Sequence, residues 1–179
     1  MKQRIVIIGA GGHGRVVADA IVSQDKYELI GFVDAALDIG TEILSGFKVI
    51  EKQNNLHLIK EKTDTFIVAI GNNVVREKVY QLASQILEPG IVVHSSSIIG
   101  SDVTIGKGSV VLANTVINAS SSIGNNTIVN TATVVDHDSS IGNNVHLSIG
   151  TMVGSNSKIG NGCTTEVGAA IQSFSKITN

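Results

Sequence analysis

A chain of 179 residues, 42% of them hydrophobic, can bury the core of one large domain or of two small ones. Its formal net charge of −2 gives no basis for binding nucleic acid or a membrane surface. The apolar run at positions 5–8 is too short for a signal peptide or a membrane span, and the single cysteine, Cys163, excludes an internal disulfide, so a cytoplasmic protein is expected.

In chain order, Ile5, Val6, Ile7 and Ile8 read as a buried strand. Gly9-Ala10-Gly11-Gly12-His13-Gly14 follows, then a helix over 15–23 with Val16, Val17, Ala20 and Ile21 inward. A second strand over 29–33 ends in Asp34, twenty residues after Gly14. Strand, glycine turn, helix, strand and acid is the order of a nucleotide-binding unit. The glycines let the backbone approach a phosphate, and the helix start supplies N–H donors. A third strand is expected near 47–50, a helix over 53–61, a strand over 65–70 closed by Gly71-Asn72-Asn73, and a helix over 74–85. This is half of a full dinucleotide fold, so one nucleotide or nucleotide-sugar is expected rather than a nicotinamide cofactor. The plainer alternative is that the glycines only make a tight turn.

Of the 28 Asp, Glu, Lys and Arg residues, 21 precede His94. That shift places a domain boundary at Glu88-Pro89-Gly90, which holds the only proline. Residues 1–90 are expected to form a Rossmann-like α/β domain that binds a nucleotide-sugar or a related small acceptor. From there the chain repeats every six residues, with Val93, Ile99, Ile105, Val111, Ile117, Ile123, Val129, Val135, Ile141, Leu147, Val153, Ile159, Thr165, Ile171 and Ile177. Fourteen of these fifteen are aliphatic, and Thr165 is the break. From Ile99 on, two residues before each lies a small one, as at Ser109, Thr115, Ser121, Thr127 and Cys163. Residues two apart on a strand share a face, so both series point inward. Gly and Asn at the corners tolerate positive φ. A hexapeptide-repeat parallel β-helix over 91–179 follows, with three hexads per coil and about four and a half coils.

Most outward positions on the coil are Ser, Thr and Asn, but two histidines stand out. His137 falls at a corner between Asp136 and Asp138, either of which can orient the imidazole. His146 lies half a coil further on, so the two rings share a site only if neighbouring chains pack side by side. A homotrimer with interfacial sites is expected. His94, His137 and His146 lack the close pairing of zinc ligands, and no metal is expected.

Together Gly9-Ala10-Gly11-Gly12-His13-Gly14, Gly31-Phe32-Val33-Asp34, Ala69-Ile70-Gly71-Asn72-Asn73 with Arg76, Val116-Ile117-Asn118-Ala119, Val129-Asn130-Thr131, Asp136-His137-Asp138 and His146-Leu147-Ser148 resemble one family. It is the hexapeptide-repeat sugar O- and N-acyltransferase family of bacterial glycan synthesis, which includes sialic acid O-acetyltransferases and UDP-4-amino-sugar N-acetyltransferases. The resemblance implies a left-handed coil and transfer of acetyl from acetyl-CoA. It makes His137 the base and Asp138 the residue that raises its basicity. It places His146 and Val167 against acetyl-CoA, and Gly11, Gly12, His13, Asp34, Ala35 and Gly71 against the acceptor. The favoured acceptor is the amino group of a nucleotide-linked 4-amino-deoxysugar, with O-acetylation of sialic acid or a related sugar as the alternative. A non-catalytic β-helical assembly module and a nicotinamide-dependent enzyme stand as readings from other classes. The sequence departs from the family in two places: Asp138 stands where Glu is usual, and Ala35 where a second acid is. The chain is expected to stop in mid-coil at Asn179.

Overall fold

A computed structural model describes residues 1–178; the expected mid-coil end at Asn179 lies outside them. The first half is a six-stranded sheet formed by β1 (Gln3–Ile8), β2 (Tyr27–Asp34), β3 (Glu42–Leu44), β4 (Phe47–Lys52), β5 (Thr65–Val68) and β6 (Glu88–Pro89), in the order β3-β4-β2-β1-β5-β6. All pairs are parallel except the β3–β4 hairpin. Helix α1 (Gly12–Gln24) covers one face of the sheet. A 3₁₀ segment, Gln53–Ile59, and helix α2 (Asn73–Ala83) cover the other.

Two expectations need correction here. Val16 is 41% exposed, and Ala18 takes its place inside with Val17, Ala20 and Ile21. The expected helix over 53–61 is a 3₁₀ segment with a kink at Asn55. Its short length fits that tighter geometry, which is rarely sustained. Gly14 has a plain packing reason: a Cβ there would lie 2.2 Å from the Gly9 carbonyl oxygen.

The second half is a left-handed parallel β-helix with three faces. Face 1 stacks Val92–Val93, Val110–Val111, Ile128–Val129 and His146–Leu147. Face 2 stacks Ile98–Ile99, Val116–Ile117, Val134–Val135, Met152–Val153 and Ala170–Ile171. Face 3 stacks Thr104–Ile105, Ser122–Ile123, Ser140–Ile141, Lys158–Ile159 and Lys176–Ile177. The aliphatic series from Val111 to Ile159 is buried as one column. At Thr165 the strand pairing shrinks to a single bridge between His146 and Thr164. There the Thr165 hydroxyl turns to the Ser148 N–H at 2.8 Å and the Thr151 hydroxyl at 2.7 Å.

The small inward residues are Ser and Thr for a reason beyond size. Most of these buried hydroxyls donate to a corner carbonyl fifteen residues on, as Ser109 to Gly124 at 2.7 Å, Thr127 to Gly142 at 2.8 Å, Ser121 to Asp136 at 2.9 Å and Ser139 to Gly154 at 3.1 Å, while Thr151 turns back to Ser148. Several also accept from the N–H eighteen residues on, so corner groups that the strands cannot pair are satisfied inside the coil.

Corner glycines take positive φ as expected at Gly108, Gly150, Gly162 and Gly168, but not every glycine of the repeat does. Positive φ occurs three residues after the aliphatic one, at Asp102, Asn114, Ser120, Asn126, Ala132, Asp138, Asn144 and Asn156 among others. Gly124 and Gly142 are not in that region. Coil stacking requires them, because a Cβ at either would lie 2.5 Å from atoms of the next coil.

The outward residues distinguish the three faces. On face 1, Val92, Val110 and Ile128 are buried against α1 and the sheet. Face 3 presents Thr104, Ser122, Ser140, Lys158 and Lys176. Face 2 presents Ile98 (64% exposed), Val116, Val134, Met152 (52% exposed) and Ala170, an apolar stripe that no other element among the described residues covers.

Candidate functional site

Two groups of the expected residues assemble, in different places. The first is the corner between faces 2 and 3. Asp138 takes the left-handed corner conformation, φ 58°, which turns its carboxylate beside the neighbouring ring. His137 Nδ1 lies 2.7 Å from Asp138 Oδ2. Asp136 is occupied elsewhere, accepting from the Asn118 amide and the His137 N–H, both at 2.9 Å. Asp138 is therefore the orienting partner. Its hydrogen bond raises the His137 pKa against an opposing effect of burial, and the charges of Asp136 and Asp138 add smaller increases. Both side chains are about half exposed. With Nδ1–H held by Asp138, the Nε2 lone pair faces outward, in the tautomer a general base requires.

The second group is at the seam between the sheet domain and face 1. Gly11 caps α1 without a side-chain bond, and no acid lies in the first turn. A Cβ at Gly11 or Gly12 would meet nothing within 4 Å. Neither glycine is demanded by packing, and together they leave an open cradle over the helix N–H donors. Asp34 does not point free into it. Its Oδ2 accepts from the Ala10 N–H at 2.8 Å, and its Oδ1 from Ala36 at 2.8 Å and Leu37 at 3.1 Å. Burial works against ionisation of Asp34, but these backbone donors outweigh it and hold its pKa low. Asp34 thus shapes the glycine turn and the loop carrying Ala35. Ala35 borders an open recess of about 610 Å³ lined also by Lys52, Gln53, Asn54 and Leu82.

His13 packs beside His146 with ring centroids 6.3 Å apart. Burial, then the charges of His146 and Arg76, depress its pKa to about 4, and its buried Nε2 has no partner. His146 is also held neutral, by burial and by Arg76, against a smaller opposing bond to Gly71. Its Nδ1 lies 3.3 Å from the Gly71 carbonyl oxygen and its Nε2 3.1 Å from the Asn130 amide. That pairing fixes the tautomer with hydrogen on Nδ1. Asn130 was missed as a functional residue because its role depends on coil stacking, which brings it opposite His146. Val167 is 73% exposed at the corner between faces 1 and 2. The structure brings His13 and Gly71 together with His146, which the sequence did not foretell, and leaves His137 on another side of the prism, as the spacing requires. Among the described residues no cluster of three His, Cys, Asp or Glu is placed to hold a metal ion, and no helix is long and apolar enough to cross a membrane.

Residues 4–83 match the PglD N-terminal domain family. No curated protein sequence matches the chain. Among solved structures, the acetyltransferase domain of PglB from Neisseria gonorrhoeae FA1090, in complex with acetyl coenzyme A, is 32% identical with a TM-score of 0.74, over 98% of this chain and 88% of that one. A histidine mutant of perosamine N-acetyltransferase from Caulobacter crescentus, in complex with CoA and GDP-perosamine, is 28% identical with a TM-score of 0.77 over the same shares. WeeI from Acinetobacter baumannii AYE shares 22% identity and a TM-score of 0.66 over 99% of this chain and 97% of that one, a likeness of fold alone.

Proposed function

This chain belongs to the hexapeptide-repeat sugar acetyltransferase family, and on that premise we propose that it moves the acetyl group of acetyl-CoA to the amine of a nucleotide-linked 4-amino-deoxysugar. The observation that carries the reading is the His137–Asp138 pair, 2.7 Å apart on an exposed corner beside an uncovered apolar face. His137 Nε2 takes a proton from the acceptor amine, and Asp138 stabilises the imidazolium that forms. The amine nitrogen attacks the thioester carbonyl, the tetrahedral oxyanion collapses, the C–S bond breaks, and the proton leaves with the coenzyme A thiol. The cradle of Gly11, Gly12, His13 and Gly71 holds the nucleotide-sugar, with Asp34 and Ala35 forming its wall. Val167 and the ring face of His146 flank the acetyl-CoA groove. The polar atoms of His146 are already engaged, so it serves by packing.

The working unit in this reading is a homotrimer. Face 1 is covered by the sheet domain and face 3 is polar, so face 2 is left to meet other copies. Three prisms that join through face 2 set the corner between faces 2 and 3 of one chain against the face-1 edge of the next. His137 then lies beside the neighbouring cradle, which supplies what the single chain lacks. A cytoplasmic location suits the two nucleotide-bearing co-substrates. The test is an acceptor screen that follows free thiol released from acetyl-CoA, using amino sugars linked to UDP and GDP alongside sialic acid. Thiol release with an amino sugar supports the reading. Release with sialic acid alone moves it to O-acetylation, and silence across the panel favours an assembly module. Light scattering that returns a monomer mass overturns the trimer.

A further inference from the structure

Arg76 is the only charged side chain among the buried residues described, and it is 1% exposed. It leaves the first turn of α2 and crosses to the coil. Nε donates to the Asn126 carbonyl at 3.0 Å. Nη1 donates to Ile70 and Gly71, each at 3.1 Å. Nη2 donates to the Asn73 side chain at 2.7 Å and to the carbonyls of Asn144 and Val145 at 3.0 and 3.2 Å. These contacts occupy all five N–H groups of a guanidinium. Among the described residues Arg76 makes no salt bridge, and its direct partners are all neutral oxygens, with the Glu77 carboxylate acting only from a distance. Burying an ion this way costs several kcal/mol, and apolar side chains would join the two halves more cheaply. The charge and its fork therefore call for a reason beyond adhesion.

The acceptors of Arg76 supply one. Asn126 and Asn144 are equivalent corners of successive coils, and Val145 immediately precedes His146. Ile70 and Gly71 belong to the loop that borders the glycine cradle. The Gly71 oxygen receives both Arg76 Nη1 and His146 Nδ1. We propose that Arg76 is a positioning residue of the acceptor site: it fixes Gly71 and His146 in one geometry and places beneath the cradle a positive charge that no salt bridge pairs, which favours a nucleoside diphosphate. The inference rests on the reading of that cradle as the acceptor site. His13 and His146 are the titratable groups that face Arg76 across the seam, and Glu77 adjoins it on its own helix.

The test compares the full-length protein with Arg76→Met and Arg76→Lys. The midpoint of His146 titration is read by imidazole NMR without ligand, and the affinities for UDP and GDP are measured separately. In folded Arg76→Met, the His146 midpoint moves up and the affinity for the better nucleotide falls about tenfold, as loss of one charge at close range in a partly buried site predicts. Arg76→Lys keeps the charge but has only three donors. Its His146 midpoint stays near the wild-type value while nucleotide affinity still falls, and this variant carries the test should Arg76→Met not fold. A folded Arg76→Met with an unmoved His146 midpoint and unchanged affinity, or an Arg76→Lys with wild-type affinity, overturns the proposal and leaves Arg76 a mechanical link. Gly12→Val separates the two readings. If it binds UDP and GDP as well as wild type, the cradle assignment fails, while the ligand-free His146 titration still decides the electrostatic role of Arg76.

Discussion

His137 and His146 occupy the same coil nine residues apart, yet their surroundings push them in opposite directions. At its exposed corner, His137 has Asp138 at 2.7 Å and a raised pKa. On face 1, His146 is covered by the sheet domain, faces a guanidinium across Gly71, and has a lowered pKa. One lies in a corner turn and the other in a strand, and the difference in pKa comes from what is packed against each ring. A carboxylate raises the pKa of one imidazole, whereas burial beside a cation lowers that of the other.

The largest test of this contrast is removal of the base. His137→Ala is expected to lower kcat by about 10²–10⁴-fold, with the acetyl-CoA KM little changed and the assembly intact. Near-wild-type kcat between about pH 6 and 8 places the base elsewhere. Next comes the neutral side of the contrast. His13 has a folded pKa of about 4, so between pH 6.5 and 4 the unfolded chain binds a proton that the folded chain does not. Stability therefore falls as pH drops through that window, by about 3 kcal/mol from this group. Denaturant titrations at several pH values check this, and His13→Asn should flatten the slope.

Asp138→Asn sharpens the other side and is smaller, about tenfold in kcat, because the imidazole remains. In the proposed mechanism activity requires neutral His137. Asp138 raises its pKa, so the variant should hold activity to lower pH than wild type even as its maximum falls. An unmoved acid limb in the pH–rate profile means that Asp138 does not orient the base. The smallest effects should be equal beneath the two histidines. Ser139→Ala strips a donor from Gly154 and an acceptor from Ser157, and Thr127→Val does the same to Gly142 and Val145. Each should cost about 1–2 kcal/mol in chemical denaturation. A large difference between them means that the coil does not support its two sites alike.

The sequence revealed the coil because its core repeats locally: one aliphatic and one small residue in every six state the prism directly. His137 and Asp138 were legible for the same reason, since adjacent residues at a corner must meet. Contacts between distant coils were not. The Ser and Thr ladder reads as mere smallness until the carbonyls fifteen residues on are placed. Gly124 and Gly142 look like turn residues until the next coil is stacked on them. The apolar stripe of Ile98, Val116, Val134 and Met152 is scattered among polar neighbours in the chain and becomes a surface only at a period of eighteen. Arg76 gave no periodic signal, because its partners lie about 50 and 70 residues away along the chain.

The near-identity of the coils has a consequence for how the chain finds its native pairing. Each rung offers the next almost the same edge, so a strand displaced by one whole coil, such as Val110–Val111 paired with His146–Leu147, would bury similar aliphatic residues and form similar bonds. A stack of interchangeable rungs has no internal marker of phase. The sheet domain supplies it from one end. Gly108 donates to Gly90, two residues before the first rung, and Arg76 grips Asn126 and Asn144 by their oxygens. Only one alignment satisfies both. The α/β half therefore acts as a counting device for the coil, and a chain that loses this clamp should refold with coils out of phase before it fails to form coils at all.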